Sequence, residues 1–200
     1  MAYHHGDLRR ALLQGALELL AEGGPAHLTL RGAARRAGVS VAAPYRHFAD
    51  KRELLAAVAE EGFLALQRAC DEALAEAGHD VVARFWRHGM AYVGYAVGNP
   101  AHYRVMFGPE IPDKRLYEDL NKAARAAFDS LRDTLQRCAG AGLFPAEQID
   151  MRAMRAWGLV HGLASLFIDG QLNFDEEVDR EGFLARVGSV LALEAAILEK

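Results

Sequence analysis

Apolar residues recur along this chain at three- and four-residue intervals, and no stretch alternates as a strand would, so the pattern predicts helices throughout. Between Asp7 and Ala21, one helical face carries Leu8, Leu12, Ala16, Leu19 and Leu20. Glu22-Gly23-Gly24-Pro25 stops that helix, with a glycine ready for a left-handed cap. A short helix is expected after Thr29, then a break at Gly38-Val39-Ser40, then a second short helix carrying Tyr45 and Phe48. A longer helix begins near Asp50 and runs through Leu54, Leu55, Val58, Phe63 and Leu66 to about Ala77, where Gly78 ends it. The remaining pattern predicts helices over Asp80–Val97, Pro100–Phe107, Asp113–Ala139, Pro145 to about Ile168, and Glu176–Leu198. Asp175-Glu176-Glu177 would favour the start of the last one. The expected fold is therefore all-α, with about nine helices joined by short loops.

Composition narrows the classes. The 200 residues, 52% hydrophobic and 25% charged, are enough for one large or two small domains with a real core. Cys70 and Cys138 lie far apart with no CxxC or Cys/His spacing, so neither a disulfide framework nor a metal site is expected. His4 and His5 are adjacent and would point apart on a helix. No cofactor loop follows a strand, and no catalytic constellation can be read from spacing. No apolar run approaches the roughly 18 residues that cross a bilayer. MAYHHGDLRR has no apolar stretch of a secretory signal, so a cytoplasmic protein is expected.

Net charge is −4, but it is unevenly spread. Residues 1–52 hold eight Lys/Arg against four Asp/Glu, and the rest hold 15 against 23. The basic end suits a polyanion.

The stretch from Thr29 to Lys51 gives that basic end a purpose. A helix-turn-helix needs a short first helix with small inward residues, supplied by Ala33, Ala34 and Ala37. It needs glycine and an apolar plug at the turn, supplied by Gly38-Val39, and a cap for the second helix, supplied by Ser40. Val41, Ala42 and Ala43 would then face base edges in the major groove, with polar help from Arg31 or Arg46. Thr29, Tyr45, His47 and Lys51 suit phosphate oxygens, Lys51 at a helix start whose free N–H groups also attract an anion. Two features depart from the ideal. Gly32 stands where an acidic residue would close a capping box on Thr29, and Pro44 lies inside the second helix, early enough to be tolerated.

Ala-Gly-Val-Ser followed by Tyr45-x-His47-Phe48-x-x-Lys51 resembles the DNA-binding domain of the tetracycline-repressor (TetR) family. Trp157-Gly158-Leu159-Val160-His161-Gly162 is similar to the Trp-x-x-x-His-Gly signature of the WHG subgroup of C-terminal domains, as is the opening Tyr3-His4-His5-Gly6-Asp7-Leu8-Arg9. The resemblance implies a helix-turn-helix domain over residues 1–50, with helix 50–77 as connector, and a larger ligand-binding and dimerisation domain over 51–200. It implies a repressor that binds palindromic double-stranded operator DNA as a homodimer. The last two helices would pair, and a small apolar or amphipathic effector would release the DNA.

Phe85, Trp86, Met90, Tyr92, Tyr103, Met106, Phe107, Phe128, Trp157 and His161 are the candidate effector pocket, against the plainer reading of an ordinary core. Gly158 and Gly162 would permit close helix approach as readily as ligand access. Two rivals remain: a constitutive DNA-binding regulator without effector, and a helical enzyme working around Trp157 and His161.

Overall fold

A computed structural model describes residues 5–172 and 179–198. The candidate helix start at Asp175–Glu177 and the residue His4 lie outside them. Among the described residues there are eight α-helices and no strand: α1 (His5–His27), α2 (Leu30–Arg36), α3 (Lys51–Glu76), α4 (Val81–Gly98), α5 (Pro100–Phe107), α6 (Glu118–Gly140), α7 (Ile149–Ile168) and α8 (Arg180–Leu198). They form two compact units: residues 1–64 with 99–124, and residues 65–98 with 125–200, α3 and α6 contributing to both.

In the first unit α1 packs on α2 and α5. Leu12, Ala16, Leu28, Ala33, Ala34, Leu54 and Val58 are buried, the face that the 3.6-residue period marks. Closeness of α1 and α2 depends on Gly15, where a Cβ would stand 2.8 Å from the Ala33 carbonyl oxygen. α2 opens on Thr29, whose Oγ1 accepts from the Gly32 N–H at 2.9 Å. Gly32 has its own reason for being small. A Cβ there would meet that hydroxyl at 2.9 Å and Leu19 Cδ1 at 3.0 Å, so close packing on α1 excludes the capping-box side chain. α2 closes in a Schellman motif: Val39 N–H donates to Ala34 O and Gly38 N–H to Arg35 O, with Gly38 at φ +67°.

The segment after this turn differs from expectation. In place of an α-helix from Val41, Ala43–Arg46 form a 3₁₀ turn. Ser40 contributes its carbonyl to Ala43 N–H rather than a side-chain cap. Buried Pro44, at the first turn, brings no N–H to an α ladder, and the chain tightens around it. The expected single helix over Asp113–Ala139 also divides. Asp113 Oδ1 accepts from the Arg115 N–H at 3.0 Å and opens a 3₁₀ turn over Lys114–Leu116. Tyr117 is then extended, and α6 starts afresh. Ala146–Gln148 is likewise a 3₁₀ turn before α7.

In the second unit α4 packs against α7 and α8. Phe85, Leu131, Leu135, Cys138, Phe144, Ile149, Ala153 and Ala195 form one buried cluster. Asp80 caps α4 by accepting from Val82 and Ala83 N–H, and Asp179 caps α8 by accepting from Gly182 N–H. The Trp86 indole N–H donates to Gly188 O at 3.0 Å, and Phe167 stacks on Phe183 at 4.2 Å, tying α8 to α4 and α7.

Candidate functional site

Thr29, Arg31, Tyr45 and Lys51 converge on one cleft of about 490 Å³, completed by Leu30, Arg35, Ala49 and Asp50. The local reasons are visible. α2 presents Arg31 and Arg35 one turn apart on its exposed side while Ala33 and Ala34 go inward. The turn around Pro44 leaves Tyr45 53% exposed while Phe48 plugs the core at 3%. Ser40, Val41, Ala42 and Arg46 are exposed beside it, and Ala43 and His47 are half-buried. Arg35 joins Lys51 on this cleft, one turn along α2 from Arg31.

Two charges behave differently from expectation. Lys51 Nζ donates to the Pro25 carbonyl at 2.6 Å, which fixes its ammonium at the edge of the cleft. The start of α3 is not an open anion site. Asp50 Oδ1 accepts from Glu53 N–H at 2.9 Å, and Glu53 Oε2 reaches back to Ala49 N–H. This reciprocal cap places carboxylate charge where a phosphate was expected to sit. Arg36 turns away from the cleft onto α1, paired with Glu22 at 2.5 Å and Glu18 at 3.5 Å.

The ten candidate pocket residues fall in two groups. Tyr103, Met106 and Phe107 belong to the first unit, where Phe107 meets Tyr103 at 4.9 Å and Phe63 edge-on at 5.3 Å. The other seven belong to the second. Phe85 is part of its core cluster. Trp86 and Met90 line a shallow cleft of about 600 Å³ against Leu184 and Gly188 of α8. Tyr92 Oη lies 3.0 Å from His161 Nδ1, and Trp157 bridges His161 and Phe128 at ring distances of 5.4 and 5.9 Å. Burial lowers the His161 pKa, so this ring is neutral near pH 7.

Cys70 and Cys138 are free and buried, and burial pushes the Cys70 thiol up to about 12, which leaves it inert. Among the described residues no group of three His, Cys, Asp or Glu is placed to hold a metal. Nor, among them, is any helix long and apolar enough to cross a membrane.

Comparisons with known proteins agree on the family. Residues 12–58 match the family described as bacterial regulatory proteins, tetR family, and residues 85–187 match the tetracyclin repressor-like C-terminal domain. The latter description is general and does not single out the subgroup that Trp157–Gly162 resembles. The chain is 31% identical to the nucleoid occlusion factor SlmA of Marinobacter nauticus over 134 residues, 67% of each protein. A solved structure of a protein with unknown function from Rhodococcus sp. RHA1 superposes with a TM-score of 0.81 at 33% identity, covering 100% of this chain and 97% of that one. The transcriptional regulator FadR of Bacillus subtilis, solved in complex with stearoyl-CoA, shares the fold with a TM-score of 0.75 at 16% identity, covering 94% of this chain and 98% of that one. With a cationic cleft formed by α2 and the turn after it, and with both family matches, the chain belongs to the TetR family of DNA-binding transcriptional regulators.

Proposed function

We propose that this protein is a cytoplasmic repressor that binds a palindromic operator as a homodimer and releases it when a small apolar or amphipathic effector binds. The observation that carries the DNA reading is the convergence of Arg31, Arg35, Tyr45 and Lys51 on one cleft beside the exposed Ser40, Val41, Ala42 and Arg46. In this reading residues 1–50 form the reading head. Thr29, Tyr45, His47 and Lys51 position it on phosphates, while Val41, Ala42 and Ala43 touch base edges, small enough to sit against thymine methyls.

The homodimer reading rests on apolar side chains that the described residues of their own chain leave exposed. Met151, Met154, Trp157 and Leu166 on α7, and Val190, Leu193 and Ile197 on α8, are exposed. Among the described residues nothing lies within 4 Å of where a Cβ on Gly158 or Gly162 would stand, which leaves their flank of α7 open to a second helix. Two copies related by a two-fold axis match a palindromic site. Met154→Glu is expected to turn a dimer into a monomer by light scattering. It should weaken operator binding with the first unit still folded. A variant that stays dimeric sinks this interface.

Effector control would follow if the ligand prefers an arrangement that operator DNA does not, with reciprocal coupling between the two sites. The candidate residues named above, taken within each unit by itself, are the places to look for it.

The test of DNA binding begins with selection of duplexes from random DNA by the full-length chain. The winning duplex is then titrated at several salt concentrations. Binding should weaken as salt rises, because neutralised phosphates release counterions. Lys51→Ala should weaken binding about tenfold and reduce the slope of log K against log salt by about one. Tyr45→Ala should weaken it without that change in slope. Failure to select any duplex, or variants that bind like the parent, would overturn the reading.

A further inference from the structure

The junction of α3 and α5 holds charge and polarity that the fold leaves unused. Lys114, in the turn between α5 and α6, has its Nζ 6.0 Å from the ring centroids of both Phe63 and Phe107. Among the described residues no acid pairs with it. Asp113 is taken by Arg115 at 2.8 Å, and Glu118 by Lys122 at 2.6 Å. At 6.0 Å the ring attraction is at its outer limit, too weak to replace a counter-ion. Partial burial draws the Lys114 ammonium below its ordinary pKa, the mark of a cation that has lost water and gained no acid.

A second polar group in the same junction is also unmatched. His102, on α5, has a buried Nε2 with no hydrogen-bond partner among the described residues; burial lowers its pKa, and the nearby Glu61 carboxylate of α3 only partly offsets that. Its ring lies against α3 at Gly62, where a Cβ would stand 3.3 Å from Cδ2. Buried polar atoms are nearly always satisfied, and each exception calls for a reason. Beside them Phe63, Phe107 and Tyr103 form a continuous aromatic wall.

We propose that this junction is the head-group subsite of the effector, taking a carboxylate or phosphate ester carried on an apolar body. Lys114 supplies the charge, the neutral His102 ring donates from Nε2, and the apolar part lies along Phe63, Phe107 and Tyr103. A neutral ligand would leave the Lys114 cation uncompensated, and a cationic one would be repelled. The proposal rests on the effector-responsive reading above and narrows the effector from apolar or amphipathic to anionic amphiphile.

The test is calorimetric titration of the full-length chain, without DNA, against decanoate, decyl phosphate and decanol. Both anions should bind about tenfold or more tightly than the alcohol, the size of one charge-assisted hydrogen bond. Lys114→Met should abolish that preference and Lys114→Arg should keep it. Lys114→Met should also raise the urea midpoint, because an apolar side chain of similar length replaces an uncompensated cation. Equal binding of anions and alcohol, absence of binding by any of the three, or a preference that survives Lys114→Met would overturn the subsite. The same titrations separate this claim from the function. A selected duplex that no anion releases overturns effector control, while the anion preference still decides Lys114.

Discussion

Between pH 6.5 and pH 4 the protein is expected to lose about 3 kcal/mol of stability through His88 alone. This imidazole is 5% exposed, with Nε2 3.3 Å from Ser130 Oγ. Burial lowers its pKa to about 4, and no neighbouring charge opposes the effect. Above pH 6.5 the ring is neutral both folded and unfolded, so it adds no pH dependence. As pH falls through 6.5 the unfolded chain takes up a proton that the native ring refuses until about pH 4. Stability therefore declines across that window and levels off below it. Urea midpoints at pH 7.5, 6.5, 5.5 and 4.5 measure the effect in the parent and in His88→Gln, which keeps a partner for Ser130 without titrating. The variant should lose most of the decline. Equal declines would show that His88 does not carry it. His102 and His161 are shifted downward by burial too, so the slope that remains in the variant belongs to them. Asp113 and Glu118 are held low by hydrogen bonds from Arg115 and Lys122, but both pairs are exposed and screened.

His88 also illustrates what a sequence pattern conveys and what it does not. Its place on the inner face of α4, one turn from Phe85 and Tyr92, follows from periodicity. Its neutral state does not, because that comes from burial by elements distant in sequence, among them α6, whose Ser130 lies 42 residues away. The same division runs through the fold. The helix faces and the Gly38-Val39 corner were legible because one local bond pattern decides each. The turn at Pro44 was misjudged, since an early proline is tolerable in either an α or a 3₁₀ turn and nothing nearby chooses between them. The break at Tyr117 was missed because it carries no glycine or proline; a side-chain cap by Asp113 starts a separate turn, and Tyr117 leaves it extended. In the cleft, Thr29, Arg31, Tyr45 and Lys51 were legible from the helix-turn-helix spacing. The anchoring of Lys51 on Pro25 and the reciprocal cap of Asp50 and Glu53 were not weighed. The first is long-range. The second has the acid-x-x-acid spacing of a capping box and could have been seen. Aromatic richness located candidate pocket residues but not the unit each belongs to, since periodicity assigns a face and not a neighbour.

Gly15→Ala is expected to destabilise the protein although it improves helix propensity. In an open helix position the change is worth up to about 1 kcal/mol of added stability. Gly15 is not open. An added Cβ would stand 2.8 Å from the Ala33 carbonyl oxygen, 2.9 Å from Arg36 Cβ and 3.3 Å from Ala37 N. Two of these three atoms are backbone and cannot rotate aside, so α1 and α2 must separate or tilt. Overpacking of this kind costs about 1–3 kcal/mol, which outweighs the propensity gain. Gly94 supplies the control, because it lies within α4 and a Cβ there meets nothing within 4 Å among the described residues. Gly94→Ala should therefore raise the urea midpoint while Gly15→Ala lowers it, and Gly15→Leu should lower it further. The site gives a second readout. Arg31 and Arg35 ride on α2, so a displaced α2 shifts both relative to Tyr45 and Lys51 across the cleft. Operator affinity of Gly15→Ala should fall at temperatures where the variant is still fully folded. Unchanged stability and unchanged operator binding together would mean that α1 and α2 can part without cost, and the close helix contact would lose its role in building the reading head.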